Sequence, residues 1–113
     1  MITFEHSVID NDKRYIEFKA LENNNYIGKC TLFLSTDAAE ITEVCIEQNE
    51  AYIVEGLIRA AFNYAANRSY YIGICNAKGV EAYISNMNFS KTDKGYINDI
   101  PSILLGSCKS CKK

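Results

Sequence analysis

An α+β domain built on one mixed sheet is what the sequence predicts, and three neighbouring stretches predict it. Val54, Leu57, Ile58, Ala61, Phe62 and Ala65 recur at three- and four-residue steps, while Glu55, Arg59, Asn63 and Asn67 fall four apart, which makes an amphipathic helix. Upstream, Glu40 to Glu47 is short, β-branched and flanked by polar or small residues, as a strand would be. Downstream, Tyr70 to Cys75 is a nearly continuous apolar run, the pattern of a strand covered on both faces. A strand, a helix and a second buried strand imply a right-handed crossover and a parallel pair.

The remaining elements alternate as antiparallel strands do. Ile2, Phe4, His6 and Val8 interleave with Thr3, Glu5 and Ser7, and after the turn Asp10-Asn11-Asp12-Lys13 the residues Ile16, Phe18 and Ala20 interleave with Glu17 and Lys19. The turn Glu22-Asn23-Asn24-Asn25 leads into a third strand, Tyr26 to Leu34, and the loop Ser35-Thr36-Asp37 leads into the strand at Glu40. These make an antiparallel meander ahead of the central helix. Glu55, four residues before Arg59, is placed for a same-face ion pair. Val80, Tyr83, Ile84 and Met87 form the stripe of a second helix. Phe89 to Lys91 and Tyr96 to Ile100 flank Thr92-Asp93-Lys94-Gly95, a closing hairpin with Gly where a positive φ is wanted, and Pro101, lacking an N–H, stops the last strand.

Composition bounds the function. A chain of 113 residues, 48% hydrophobic, holds one core: residues 1–105 form one domain and residues 106–113 a polar tail. A net charge of −2 supplies no basic face for nucleic acid. No apolar run approaches the ~20 residues of a bilayer span, and the N-terminus lacks the basic start and apolar centre of a signal peptide, so a soluble cytoplasmic protein without membrane contact is expected. Five cysteines, an odd number, favour reduced thiols over a disulfide framework. His6, the sole histidine, has no neighbour in sequence that completes a catalytic pair. Cys108-x-x-Cys111 has the spacing of half a zinc site or of a redox pair, which a loose tail also permits. No metal site is expected within the domain.

A strand ending in Glu43-Val44-Cys45-Ile46-Glu47, a short turn, Leu57-Ile58-Arg59-Ala60-Ala61-Phe62-Asn63-Tyr64-Ala65, a buried strand, and Tyr83-Ile84-Ser85-Asn86-Met87-Asn88-Phe89 come in the order of a known family. This order resembles the GNAT superfamily of acyl-CoA-dependent N-acetyltransferases, over roughly the last two-thirds of the chain. The resemblance implies a GNAT-like mixed sheet of antiparallel meander, central helix, parallel strand, second helix and C-terminal hairpin. It also implies acetyl-CoA or another acyl-CoA as cofactor, and acyl transfer to a small-molecule amine or a protein amine. The family opens with a further strand and two helices that wall the acceptor site. No stretch here matches those helices, so the acceptor side is expected to be open or to be completed by a second subunit in a homodimer.

What the family does at each position carries over residue by residue. Its pyrophosphate turn aligns with Asn49-Glu50-Ala51-Tyr52-Ile53-Val54, where both family glycines are replaced, and Gly56 offers a close backbone approach two residues late. Ile53, Val54 and Gly56 therefore form the expected cofactor edge, with Glu50 in the first helical turn. Main-chain groups of Val44, Cys45 and Ile46 would align the thioester, or these residues are an ordinary core strand. Glu43 is the expected general base among Glu40, Glu43 and Glu47, which otherwise read as a solvated strand face. Tyr83 is the nearest residue to the family's acid, one position early, and equally fits the core stripe. Asn76 would contact pantetheine, or serve as a helix N-cap. A non-catalytic GNAT-like module that binds acyl-CoA or a protein partner is the alternative, and a metal- or redox-sensing dimer run from the cysteine tail a third.

Overall fold

Alternation along the first strands decides which side of the sheet receives the helices. The structure is a computed structural model that describes residues 2–9, 14–47, 51–84, 87, 89–93 and 95–105. Strands β1 (Ile2–Val8), β2 (Tyr15–Glu22), β3 (Asn25–Leu34) and β4 (Ala38–Ile46) form an antiparallel meander. Helix α1 (Ala51–Ala66) crosses to β5 (Ile72–Cys75), which pairs parallel with β4. A single-turn helix α2 (Glu81–Ile84), strands β6 (Ser90–Thr92) and β7 (Gly95–Asp99) and a short helix α3 (Ile100–Leu105) complete the order. The sheet has seven strands in the order β1-β2-β3-β4-β5-β7-β6. This is the mixed α+β architecture that the sequence predicts. Among the described residues no helix is long and apolar enough to cross a membrane.

The core lies between the sheet and α1. Ile16, Phe18 and Ala20 of β2 meet Val54, Leu57, Ile58, Ala61, Phe62 and Ala65, and the six helix residues are all fully buried, as the helical stripe requires. Burying each of Val54, Leu57, Ile58 and Phe62 contributes about 1.5–3 kcal/mol before entropy is subtracted. Gly73 of β5 lies under Phe62 of α1 and under Ile100 and Ile103 of α3, so α3 covers the same sheet face as α1. A Cβ on Gly73 would stand 2.9–3.1 Å from those three side chains, and glycine is what lets the helices close on the strand. The opposite face, carrying Glu17, Lys29, Phe33, Glu40, Glu43 and Cys45, has no helix on it among the described residues.

Four details differ from the sequence reading. The strand expected at Tyr70 begins only at Ile72, and Tyr71 is 60% exposed, because α1 ends in a tight reversal: Tyr70 N–H donates to Ala65 O, Ser69 N–H to Ala66 O, and Ser69 takes φ 73°. Covered on one face only, Ile72 and Ile74 are half-buried rather than enclosed. Pro101, read as a strand terminator, lies in the first turn of α3, where a missing N–H costs nothing; Asp99 caps that helix by accepting from Ser102 N–H and Oγ, each at 2.9 Å. Arg59, expected to pair with Glu55, donates from Nη1 to Leu104 O at 3.0 Å and ties α1 to α3. The Asn23-Asn24 turn takes positive φ at both residues (52° and 71°), the two-residue hairpin geometry that asparagine tolerates. The Asp10-Asn11-Asp12-Lys13 turn lies outside the described residues.

Candidate functional site

The site begins where β4 and β5 part. Their parallel pairing runs only from Ala38↔Ile72 to Ile41↔Cys75, and Asn76 N–H adds a last bond to Ile41 O at 2.9 Å. β4 continues to Ile46 with β3 alone beside it, so among the described residues no strand pairs with the other edge of Thr42 to Ile46. A strand that leaves its neighbour in this way offers main-chain donors and acceptors to a ligand, since buried or bound backbone groups must find partners.

A bulge sets which side chains face where. Thr31 pairs with Glu43 and Leu32 with Ile41, so Thr42 is an extra residue in β4. Strict alternation would send Ile41, Glu43 and Cys45 to one face. The extra residue reverses the phase, so that Ile41, Val44 and Ile46 share the helix face while Glu43 and Cys45 join Glu40 on the uncovered one. Glu43 is thus an exposed carboxylate beside the parting edge. Cys45 Sγ–H donates to Glu43 Oε2 at 3.6 Å, and loss of water followed by the Glu43 charge pushes the Cys45 thiol up, away from a thiolate nucleophile. At the vertex itself, Asn76 Nδ2–H donates to Glu40 Oε2 at 3.3 Å across the two strands. The sequence reading named both residues without joining them, because a contact between positions 36 apart follows only from the parallel register.

The expected cofactor residues are distributed unevenly. Ile53 and Val54 are fully buried, so their side chains belong to the core and only their backbone could meet a ligand, while Tyr52 turns outward at 54% exposure. Gly56 has a packing partner: the Phe4 ring of β1 lies where its Cβ would be. Asn49 and Glu50 lie outside the described residues, and the first turn of α1 as described carries no acidic residue. Tyr83 is in α2, with its side chain outside the description, whereas Val80, Ile84 and Met87 of the same stripe are buried. A cavity of about 280 Å³ opens beside Asn76 at the end of β5, lined also by Cys75, Lys78, Lys91 and Tyr96. Burial pushes the Cys75 thiol there up to about 11, so it stays protonated. Among the described residues no cluster of three or more His, Cys, Asp or Glu could hold a metal ion, and Cys108 and Cys111 lie outside them.

The fold is shared with solved structures of low sequence identity. A ribosomal-protein alanine N-acetyltransferase from Escherichia coli superposes with a TM-score of 0.63 at 10% identity, over 87% of this chain and 94% of that one. An N-acetyltransferase from Staphylococcus aureus gives 0.58 at 18% identity, over 87% of this chain and 79% of that one. This chain has the GNAT fold. The PaiA N-acetyltransferase of Thermoplasma acidophilum, solved in complex with coenzyme A, also shares the GNAT fold, with a TM-score of 0.58 at 15% identity over 74% of this chain and 58% of that one. No family model matches the sequence, and no curated protein matches it.

Proposed function

We propose that the protein is an N-acyltransferase that takes an acyl group from acetyl-CoA or another acyl-CoA and delivers it to an amine, of a small molecule or of a protein. The observation that carries this reading is the edge of β4 from Thr42 to Ile46, unpaired among the described residues and beginning at the Glu40–Asn76 contact. It offers backbone groups of Val44 and Ile46 to the pantetheine amides and thioester carbonyl, with Asn76 at the opposite lip; Cys45, expected to share that role, is in phase with Glu47, whose N–H donates to Ile27 O, and turns its own backbone groups toward β3. The fold supports it, and so does a coenzyme A complex among the similar structures. The acyl thioester supplies the electrophile. On the chain's side, Glu43 is exposed next to that edge and takes the proton of the attacking amine, directly or through water. Glu43 has no helix above it among the described residues, so an amine as large as a peptide terminus has access.

The alternative is a GNAT-fold module that binds acyl-CoA, or a protein partner, without turning it over. It is favoured by one observation: Cys45 already donates to the carboxylate assigned as base. The two are separated by following thiol release from acetyl-CoA in the presence of a panel of primary amines and peptides. Acyl transfer that falls by about 10²-fold or more in Glu43→Gln, with acetyl-CoA affinity retained, supports the enzyme. Tight binding with no amine-dependent release supports the module.

A further inference from the structure

The two edges of the sheet are treated differently. One ends in β6, three residues long with Lys91 at its centre, which is how sheets discourage further pairing. The other ends in β1, seven residues that pair with β2 in unbroken register and contain no lysine, proline or bulge. Such an edge is a template for another strand, and its flanks are apolar: Phe4, Val8 and Ile9 are 38%, 43% and 51% exposed.

The backbone polarity of that edge is fixed. Ile9 N–H donates to Tyr15 O, so in an antiparallel ladder Ile9, Ser7, Glu5 and Thr3 turn their N–H and C=O groups toward β2. Phe4, His6 and Val8 turn theirs outward. These same residues have side chains on the helix face, since Phe4 meets Gly56 and His6 meets Phe18 and Tyr64 at ring separations of 5.6 and 4.9 Å. Beside them a groove of about 270 Å³ lies between β1 and α1, lined by Phe4, His6, Phe18, Ala60 and Asn63.

We propose that β1 pairs antiparallel with β1 of a second copy of this chain about a two-fold axis normal to the sheet at His6, making one continuous sheet. The occupant is a second copy because an antiparallel pairing of the edge with itself overlaps from Thr3 to Ile9, sets apolar residues opposite one another and brings no like charges directly face to face. A two-fold at His6 sets Phe4 opposite Val8 of the partner subunit, Glu5 opposite the partner's Ser7, and Thr3 opposite the partner's Ile9, with no carboxylate facing another. The competing axis at Glu5 would set two carboxylates directly opposite each other and is disfavoured. In the His6 register the partner's Val8 comes to the helix face beside Phe4, at the mouth of that groove. The pairing is independent of acyl transfer.

The test is the mass of the full chain in solution by sedimentation equilibrium, with circular dichroism to verify folding. The wild type is expected to be a dimer. His6→Pro removes an outward N–H that β2 does not use, and Val8→Lys places a charge on the edge; both are expected to be folded monomers. If His6→Pro fails to fold, Val8→Lys alone decides. His6→Cys is expected to form an intermolecular disulfide under oxidation, because paired Cα atoms about 5.5 Å apart suit one, and Glu5→Cys is not. A monomeric wild type, a dimer indifferent to both Val8→Lys and His6→Pro, or cross-linking at Glu5→Cys alone would overturn the proposal. So would a wild type that associates only with a different protein.

Discussion

Asn76 and Glu40 touch across the point at which β4 and β5 separate, with Asn76 Nδ2 3.3 Å from Glu40 Oε2. The contact pins the vertex from the uncovered side, while Asn76 N–H holds Ile41 O from within the ladder. Removing the side chain leaves the ladder bond in place. Asn76→Ala should therefore cost only about 0.5–1.5 kcal/mol of stability, as for an ordinary hydrogen bond, and less if water replaces the partner. Under the proposed function its larger effect is on acetyl-CoA affinity. Urea unfolding and calorimetric titration of the same variant check the two halves; equal affinity with wild type removes Asn76 from the site.

Gly56 and Phe4 make a second pair that can be separated by a double-mutant cycle. In the wild-type background Gly56→Ala drives a methyl into the Phe4 ring, and the protein should lose stability as the ring is displaced. In the Phe4→Ala background the obstacle is gone, and the same substitution should stabilise α1 by up to about 1 kcal/mol through helix propensity. Denaturant midpoints for the four proteins measure the change of sign. Equal effects in both backgrounds would mean that the glycine serves something other than the ring.

Ser69 holds the left-handed position that ends α1, with φ 73°. A side chain there is strained and glycine is not, so Ser69→Gly should raise stability by about 1 kcal/mol. Thermal melting checks it. A loss would show that the serine side chain contributes more than the strain it causes.

The buried thiols make stability pH-dependent at the alkaline end. Burial pushes Cys75 from 9.0 up to about 11, and raises Cys30 as well. The folded state therefore holds the proton while the unfolded chain releases it. The contribution is complete below about pH 9 and is lost as pH rises toward 11. The urea midpoint of the wild type should fall across that interval more steeply than that of Cys75→Ala.

Periodicity made most of the fold legible. The six residues of the α1 stripe, from Val54 to Ala65, and the Ile16-Phe18-Ala20 alternation announced their burial because each packs on its own element's period. The bulge at Thr42 left no mark in the sequence, since it reflects how β4 pairs with β3 and not what β4 contains, yet it decides which face Glu43 occupies. Helix α3 was hidden because Pro101 signals both the end of a strand and the first turn of a helix, and only the Asp99 cap distinguishes them. Gly56 was legible as a close approach but not as an approach to Phe4, which lies 52 positions earlier in the chain.

The most direct measurement is a titration of the purified protein with acetyl-CoA, read by thermal melting and by heat of binding. If the open edge of β4 and the start of α1 hold the cofactor, the melting temperature should rise with ligand concentration, by an amount equivalent to about 2.7 kcal/mol at a hundredfold excess over Kd. Saturable heat of binding should accompany it. A melting curve unmoved by acetyl-CoA and by free coenzyme A, with no heat of binding, would contradict the account and leave the GNAT fold without its ligand.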